Sequence, residues 1–122
     1  ITSDTEVWKN NRRYGKAGSR EEAVEMLQSL SGTVHEVITG LSLITTSEIL
    51  SAISTVEVTF KELPAWAIDH YVDTFKPFDK AGAYGIQEWI GQSYISSIHG
   101  EYNAVVGLPT STLMDMLEAF KA

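Results

Sequence analysis

The sequence predicts an α/β domain with a mixed β-sheet flanked by helices. Three observations carry that expectation. Residues 53–60 alternate, with Val56, Val58 and Phe60 on one side and Thr55, Glu57 and Thr59 on the other; this is the period of a half-buried strand. Residues 34–46 are rich in Val, Ile, Leu and Thr, which favour strand. Around these runs, three segments carry apolar residues at helical spacing, and alternating strand and helix patterns belong to α/β domains.

Taken in order, residues 6–16 read as a short hairpin. Val7 and Trp8 form one arm, Asn10-Asn11 favours a turn, and Tyr14-Gly15-Lys16 returns. Residues 20–31 read as a helix. Ser19 and Glu22 have capping-box spacing, Ala23, Leu27 and Leu30 with Val24 make its apolar face, and Gly32 suits a left-handed stop. The runs 34–46 and 53–60 pair antiparallel through a turn at about 46–51. Pro64 opens a second helix to about Thr74, with Trp66, Ile68, Tyr71 and Val72 as apolar positions. Residues 76–91 hold Pro77, Gly82, Gly85 and Gly91 and read as an irregular loop, and 92–99 as a further strand. Pro109 starts a final helix with Leu113, Met116, Leu117 and Phe120 on one face.

The chain has 122 residues, enough for one domain over 1–122. No internal repeat or low-complexity linker divides it, and no apolar run reaches the ~20 residues of a membrane span. Nine Lys and Arg against sixteen Asp and Glu give a formal charge of -7. That balance opposes non-specific nucleic-acid binding, which depends on neutralising phosphates. It leaves room for a small anionic ligand held by a few local cations. The sequence holds no cysteine, which excludes a disulfide framework and a thiolate zinc site and fits a reducing, cytoplasmic compartment. His35, His70 and His99 are scattered, without metal-ligand spacing. There is no G-x-S-x-G nucleophile elbow.

Three stretches can carry chemistry. In Ser3-Asp4-Thr5, a carboxylate at a strand end can take a proton from water or hold a divalent cation. The same triplet also suits a turn in which Asp bonds its own backbone. In Tyr14-Gly15-Lys16, the glycine permits close approach and the lysine can touch a phosphate, although G-K alone is not a phosphate loop. The stretch Asp79-Lys80-Ala81-Gly82-Ala83-Tyr84-Gly85-Ile86-Gln87 joins an acid, a base, two glycines, an aromatic and a carboxamide. Lys80 can offset phosphate charge, and Gln87, both donor and acceptor, can read the edge of a base. A loop of this composition either binds a ligand or merely joins two elements.

These pieces in this order resemble the Maf family of nucleoside triphosphate pyrophosphatases. The resemblance runs from Ser3 to Phe120. It rests on Ser3-Asp4-Thr5-Glu6-Val7, on Gly15-Lys16 before a Glu-Glu-Ala helix, and on Leu30-Ser31-Gly32. It also rests on His35-Glu36-Val37-Ile38-Thr39-Gly40, on the block from Asp79 to Gln87, and on Asn103 with Val105-Val106-Gly107-Leu108-Pro109. The resemblance implies a mixed α/β fold related to inosine-triphosphatase-like enzymes, with a cleft between lobes. It implies hydrolysis of a nucleoside triphosphate to monophosphate and pyrophosphate with a divalent cation such as Mg or Mn. On the matching positions, it makes Asp4 the general base and Lys16 and Lys80 the phosphate-facing lysines. Thr5 and Gln87 match the subgroup that prefers dTTP and UTP. A homodimer is implied as well. The metal ligands stay unassigned.

The chain departs from the family pattern in two places. Nothing matches the family's S-x-R-R loop, and Arg12-Arg13 follows Asp4 rather than preceding it, so that role is not transferred. The family's N-terminal part is therefore expected to lie outside this chain. Ala17 stands where family members usually carry proline. Two other readings compete with a dTTP/UTP pyrophosphatase. One is a pyrophosphatase for modified purine nucleotides such as 7-methyl-GTP. The other is a non-catalytic nucleotide-binding or interaction fragment.

Overall fold

Strand β1 (Thr2–Lys9) runs into β2 (Arg12–Tyr14) through Asn10 and Asn11, at φ 50° and 63°. Positive φ at both central residues is the twist a two-residue hairpin needs, and Asn tolerates it. The computed structural model describes residues 1–106 and 109–121. Gly107 and Leu108 of the Val105–Pro109 motif, and the side chain of Phe120, lie outside the described residues.

Helix α1 (Arg20–Leu30) starts as its cap signature requires: the Glu22 amide donates to Ser19 Oγ at 3.2 Å. The reciprocal arm reaches one residue further back than expected, where the Gly18 amide donates to Glu22 Oε2 at 2.6 Å. Gly32 follows at φ 65°. Strands β3 (Val34–Ile44) and β4 (Ile49–Phe60) pair from Val34↔Thr59 to Ile44↔Ile49. Their turn is tighter than the expected 46–51, and β4 begins earlier than residue 53. Thr45 closes the turn by donating its amide to the Glu48 carbonyl at 2.8 Å and accepting the Glu48 amide on Oγ1 at 3.0 Å.

Helix α2 (Ala65–Phe75) follows Pro64 and buries Ile68, Tyr71 and Val72. Trp66, expected on the apolar face, is 62% exposed and meets the Trp89 ring at 6.2 Å. The strand expected over 92–99 is only β5 (Ile95–His99). Residues 92–94 belong to a short helix, α3 (Trp89–Tyr94), whose first turn closes with the Gln92 amide on the Glu88 carbonyl. A further helix, α4 (Tyr102–Val106), gave no sequence signal, and α5 (Thr110–Lys121) follows Pro109.

The sheet order is β2-β1-β3-β4-β5. The α/β class is as expected. Within it, every pairing among the described strands is antiparallel, where a mixed sheet was expected. Two tight turns make two of these pairs. The excursions through α1 and through α2–α3 each bring the next strand back against its neighbour's direction. One sheet face is covered: His35, Val37, Thr39, Leu41 and Leu43 of β3 are buried there. Leu27, Leu30, Ile68 and Tyr71 join Val37 and Val56 in one core. Leu41 and Leu43 pack with Met116 of α5 in a second, smaller cluster. The other face is open and exposes Ile44, Ile49 and Ile53. No described helix is long and apolar enough to cross a membrane.

Candidate active site

A cleft of about 370 Å³ opens beside β1, and its lining brings together Asp4, Thr5, Lys16, Lys80 and Gln87. These residues come from three separate stretches of sequence. Asp4 and Thr5 sit in the first half of β1, paired with Gly40 and Thr39 of β3. The S-D-T triplet is thus inside a strand, not in a turn. Asp4 still bonds local backbone, its Oδ1 accepting the Thr5 amide at 3.0 Å, and the residue is part of the cleft lining.

Lys16 lies just past β2 and Lys80 in the loop after α2. A bridge between Lys16 and Ala81, with the Gly82 amide donating to the Gly15 carbonyl at 3.1 Å, joins the two lysine-bearing stretches. Lys80 Nζ lies 3.7 Å from Asp79, a partly exposed pair in which water screens the attraction. Val7, Val37, Ile86 and Val105 of α4 give the cleft an apolar part of its lining.

The loop from Asp79 to Glu88 is held from beneath by two tyrosines. The Gly85 amide donates to the Tyr71 hydroxyl at 3.0 Å, and that hydroxyl donates to Glu88 Oε1 at 2.7 Å. Burial and the Glu88 carboxylate push the Tyr71 phenol far above its usual range, so it keeps its proton and stays a donor. Tyr84 reaches into the core, where its hydroxyl bonds His35 Nε2 at 2.6 Å. Burial raises Tyr84 as well. Burial, with the Lys9 charge adding to it, lowers His35 to about 4, so the ring is neutral at physiological pH. A Cβ at Gly85 would lie 2.6 Å from Glu88 Oε1 and 2.9 Å from Lys80 Cε, so both side-chain ends would have to move.

The site residues singled out from sequence are all among the cleft lining, and the residues packed behind it were given no role. Thr39 lay within the H-E-V-I-T-G stretch without a role. Its Oγ1 is 3.0 Å from that of Thr5 and 2.8 Å from the Ala104 carbonyl. Tyr71 read only as an apolar helix position, and Glu88 carried no signal. Hydrogen-bond partners 14 or more residues apart leave no local pattern to read.

Among the described residues, no group of three or more His, Asp or Glu side chains could hold a metal ion alone. The cleft lining includes two acidic residues, Asp4 and Asp79. That donor set fits a magnesium-type ion shared with a ligand's phosphates, because such an ion keeps several waters and uses few protein ligands.

Comparison with known proteins adds the family. A family profile described as "Maf-like protein" matches residues 1–120. A dTTP/UTP pyrophosphatase of Flavobacterium psychrophilum is 52% identical over 112 residues, covering 90% of this chain and 56% of that protein. One of Flavobacterium johnsoniae is 43% identical over 117 residues, covering 96% and 60%. One of Cytophaga hutchinsonii is 47% identical over 118 residues, covering 97% and 54%. The chain thus spans less than two thirds of the length of these curated relatives.

Proposed function

This chain belongs to the Maf family, and from that premise we propose that it serves the hydrolysis of dTTP and UTP to the monophosphate and pyrophosphate. The single observation that carries this reading is the convergence of Asp4, Thr5, Lys16, Lys80 and Gln87 on one cleft. The relatives' name, dTTP/UTP pyrophosphatase, supports the same substrate class.

Phosphoryl chemistry of this kind needs an oriented water and charge neutralisation more than a covalent nucleophile. Asp4 is the general base: it orients the attacking water and accepts its proton at a carboxylate oxygen. Lys16 and Lys80 face the triphosphate from neighbouring stretches and offset charge as it moves to the leaving pyrophosphate. Thr5 and Gln87 bind the base edge, and a site built on such bonds rejects a base that leaves them unpaired. Asp4 and Asp79 would hold a divalent cation, Mg or Mn, which when bound withdraws charge from the phosphate oxygens. The reading extends to a cytoplasmic homodimer, as the family resemblance implies, and the mass in solution checks it.

The test is pyrophosphate release from dTTP, UTP, CTP, GTP and 7-methyl-GTP with magnesium or manganese. It uses this chain beside one extended to its relatives' length. Turnover of dTTP and UTP, falling by roughly a hundredfold or more in Asp4→Asn, is the expected result. A preference for 7-methyl-GTP would transfer the reading to modified purines. Absence of turnover from either chain would leave a nucleotide-binding role.

A further inference from the structure

Resting on that reading of the cleft, we propose that Thr39 is a specificity-determining positioning residue. It fixes the direction of the Thr5 hydroxyl, so that Thr5 meets a ligand only as a hydrogen-bond acceptor. The cleft then selects a pyrimidine whose ring nitrogen carries hydrogen, as in uracil and thymine, over cytosine.

The argument counts protons. A threonine hydroxyl has one hydrogen to donate and lone pairs to accept with. Thr39 is fully buried, and its Oγ1 lies 2.8 Å from the carbonyl oxygen of Ala104, itself buried in α4. A carbonyl can only accept, so the single Thr39 hydrogen goes there. Thr39 Oγ1 is also 3.0 Å from Thr5 Oγ1. With its own hydrogen spent, Thr39 can take part in that second bond only as acceptor, so Thr5 donates to it. The Thr5 hydrogen is thereby directed inward, along a chain running Thr5 to Thr39 to Ala104.

What remains to the cleft from Thr5 is a lone pair. The β1–β3 register holds this arrangement, because Thr5 and Thr39 are direct cross-strand partners. A ligand group reaching Thr5 must therefore bring a hydrogen. The ring nitrogen N3 of uracil or thymine does. The N3 of cytosine presents a lone pair and would oppose another. Cytosine's amino group is the next donor along that edge, and using it would slide the ring relative to Gln87. Thr39 touches no ligand: it works through Thr5.

The experiment measures binding, so it does not depend on turnover. The 122-residue chain is titrated with α,β-methylene-UTP and α,β-methylene-CTP, in the unmodified form and as Thr39→Val and Thr39→Ser. The unmodified chain is expected to prefer the UTP analogue. Thr39→Val frees the Thr5 hydrogen and should lower that preference by roughly tenfold, with tighter CTP-analogue binding as part of the change. Thr39→Ser keeps both hydrogen bonds and should restore the preference. A purely structural role would weaken both nucleotides together and leave the ratio alone.

An unchanged ratio in a folded Thr39→Val overturns the proposal and leaves the functional reading standing. Equal binding of both analogues by the unmodified chain also overturns it. Binding of neither overturns the proposal and the functional reading together. If Thr39→Val does not fold, N3-methyl-UTP carries the test. The unmodified chain should bind it at least tenfold more weakly than UTP, with the difference shrinking in Thr5→Ala. Equal binding of UTP and N3-methyl-UTP overturns the proposal.

Discussion

His35 couples the core to the cleft loop through a single buried bond to Tyr84. Its ring stacks on Phe60 at 5.4 Å, and its Nδ1 is buried without a partner among the described residues. Such a site disfavours the charged ring, which is why the group is lowered to about 4. The consequence for stability has a definite sign. Below about 6.5 the unfolded chain takes up a proton on this residue, and the folded chain refuses it until about 4. Stability contributed by the neutral ring is therefore fully present above 6.5 and is lost as pH falls toward 4. Urea unfolding at pH 7 and pH 5 should show a loss of about 2 kcal/mol from this residue, and the loss should shrink in His35→Asn. A second residue-scale prediction concerns Gly91. A Cβ there would sit 2.0 Å from the Ile86 carbonyl oxygen, a contact that backbone cannot relieve cheaply. Gly91→Ala should cost about 2–3 kcal/mol in the same unfolding assay. Both residues illustrate what local pattern hides. His35 reads as one polar residue in a strand, and only the fold sets Phe60 and Tyr84 around it.

At the scale of elements, the cleft depends on how the loop from Asp79 to Glu88 is held between α2 and α3. Tyr71 of α2 joins the Gly85 amide to the Glu88 carboxylate, so one hydroxyl ties the last turn of the loop to the helix. Gln87 lies within the tied span and Lys80 five residues before it. Tyr71→Phe removes the hydroxyl without emptying the core, and it leaves an amide and a carboxylate unmatched. The expected cost is about 1–3 kcal/mol by thermal or urea unfolding, together with weaker UTP-analogue binding. Binding unchanged beside lost stability would show that the tie serves the core alone. The loop itself was legible in the sequence, because Gly82, Gly85, Lys80 and Gln87 concentrate turn chemistry and ligand chemistry in nine residues. The capped helix α1 and the alternating part of β4 were legible for the same reason: their signals are local. Helix α3 was not. Gln92-Ser93-Tyr94 was read together with the strand run that follows it, and the decision went to the turn closed on the Glu88 carbonyl. Trp66 was misplaced because helical spacing gives a stripe but not its width. The stripe ends at Ile68 and Tyr71, leaving Trp66 against Trp89 at the surface.

Across the whole molecule, a net charge of -7 repels the polyanion that the proposed reaction requires. Two scales of electrostatics are in play, and their ranges separate them. At physiological salt the Debye length is about 8 Å, so charges spread over the far surface are largely screened from the cleft. Lys16 and Lys80 line the cleft itself, and at contact distance their attraction survives that screening. The local pair should therefore outweigh the global excess of acid. A matched comparison isolates this. Lys80→Gln and Lys61→Gln each make the net charge more negative by one, but Lys61 lies just past the end of β4 and is not among the cleft lining. Titration of α,β-methylene-UTP at 0.15 M salt should show Lys80→Gln weakened by roughly tenfold or more and Lys61→Gln nearly unchanged. Lowering the salt lengthens the screening distance, so the Lys61 variant should then begin to lose affinity too. Equal losses in both variants at 0.15 M would mean that the ligand responds to overall charge and not to the cleft, and the assignment of Lys80 to the triphosphate would fail with it.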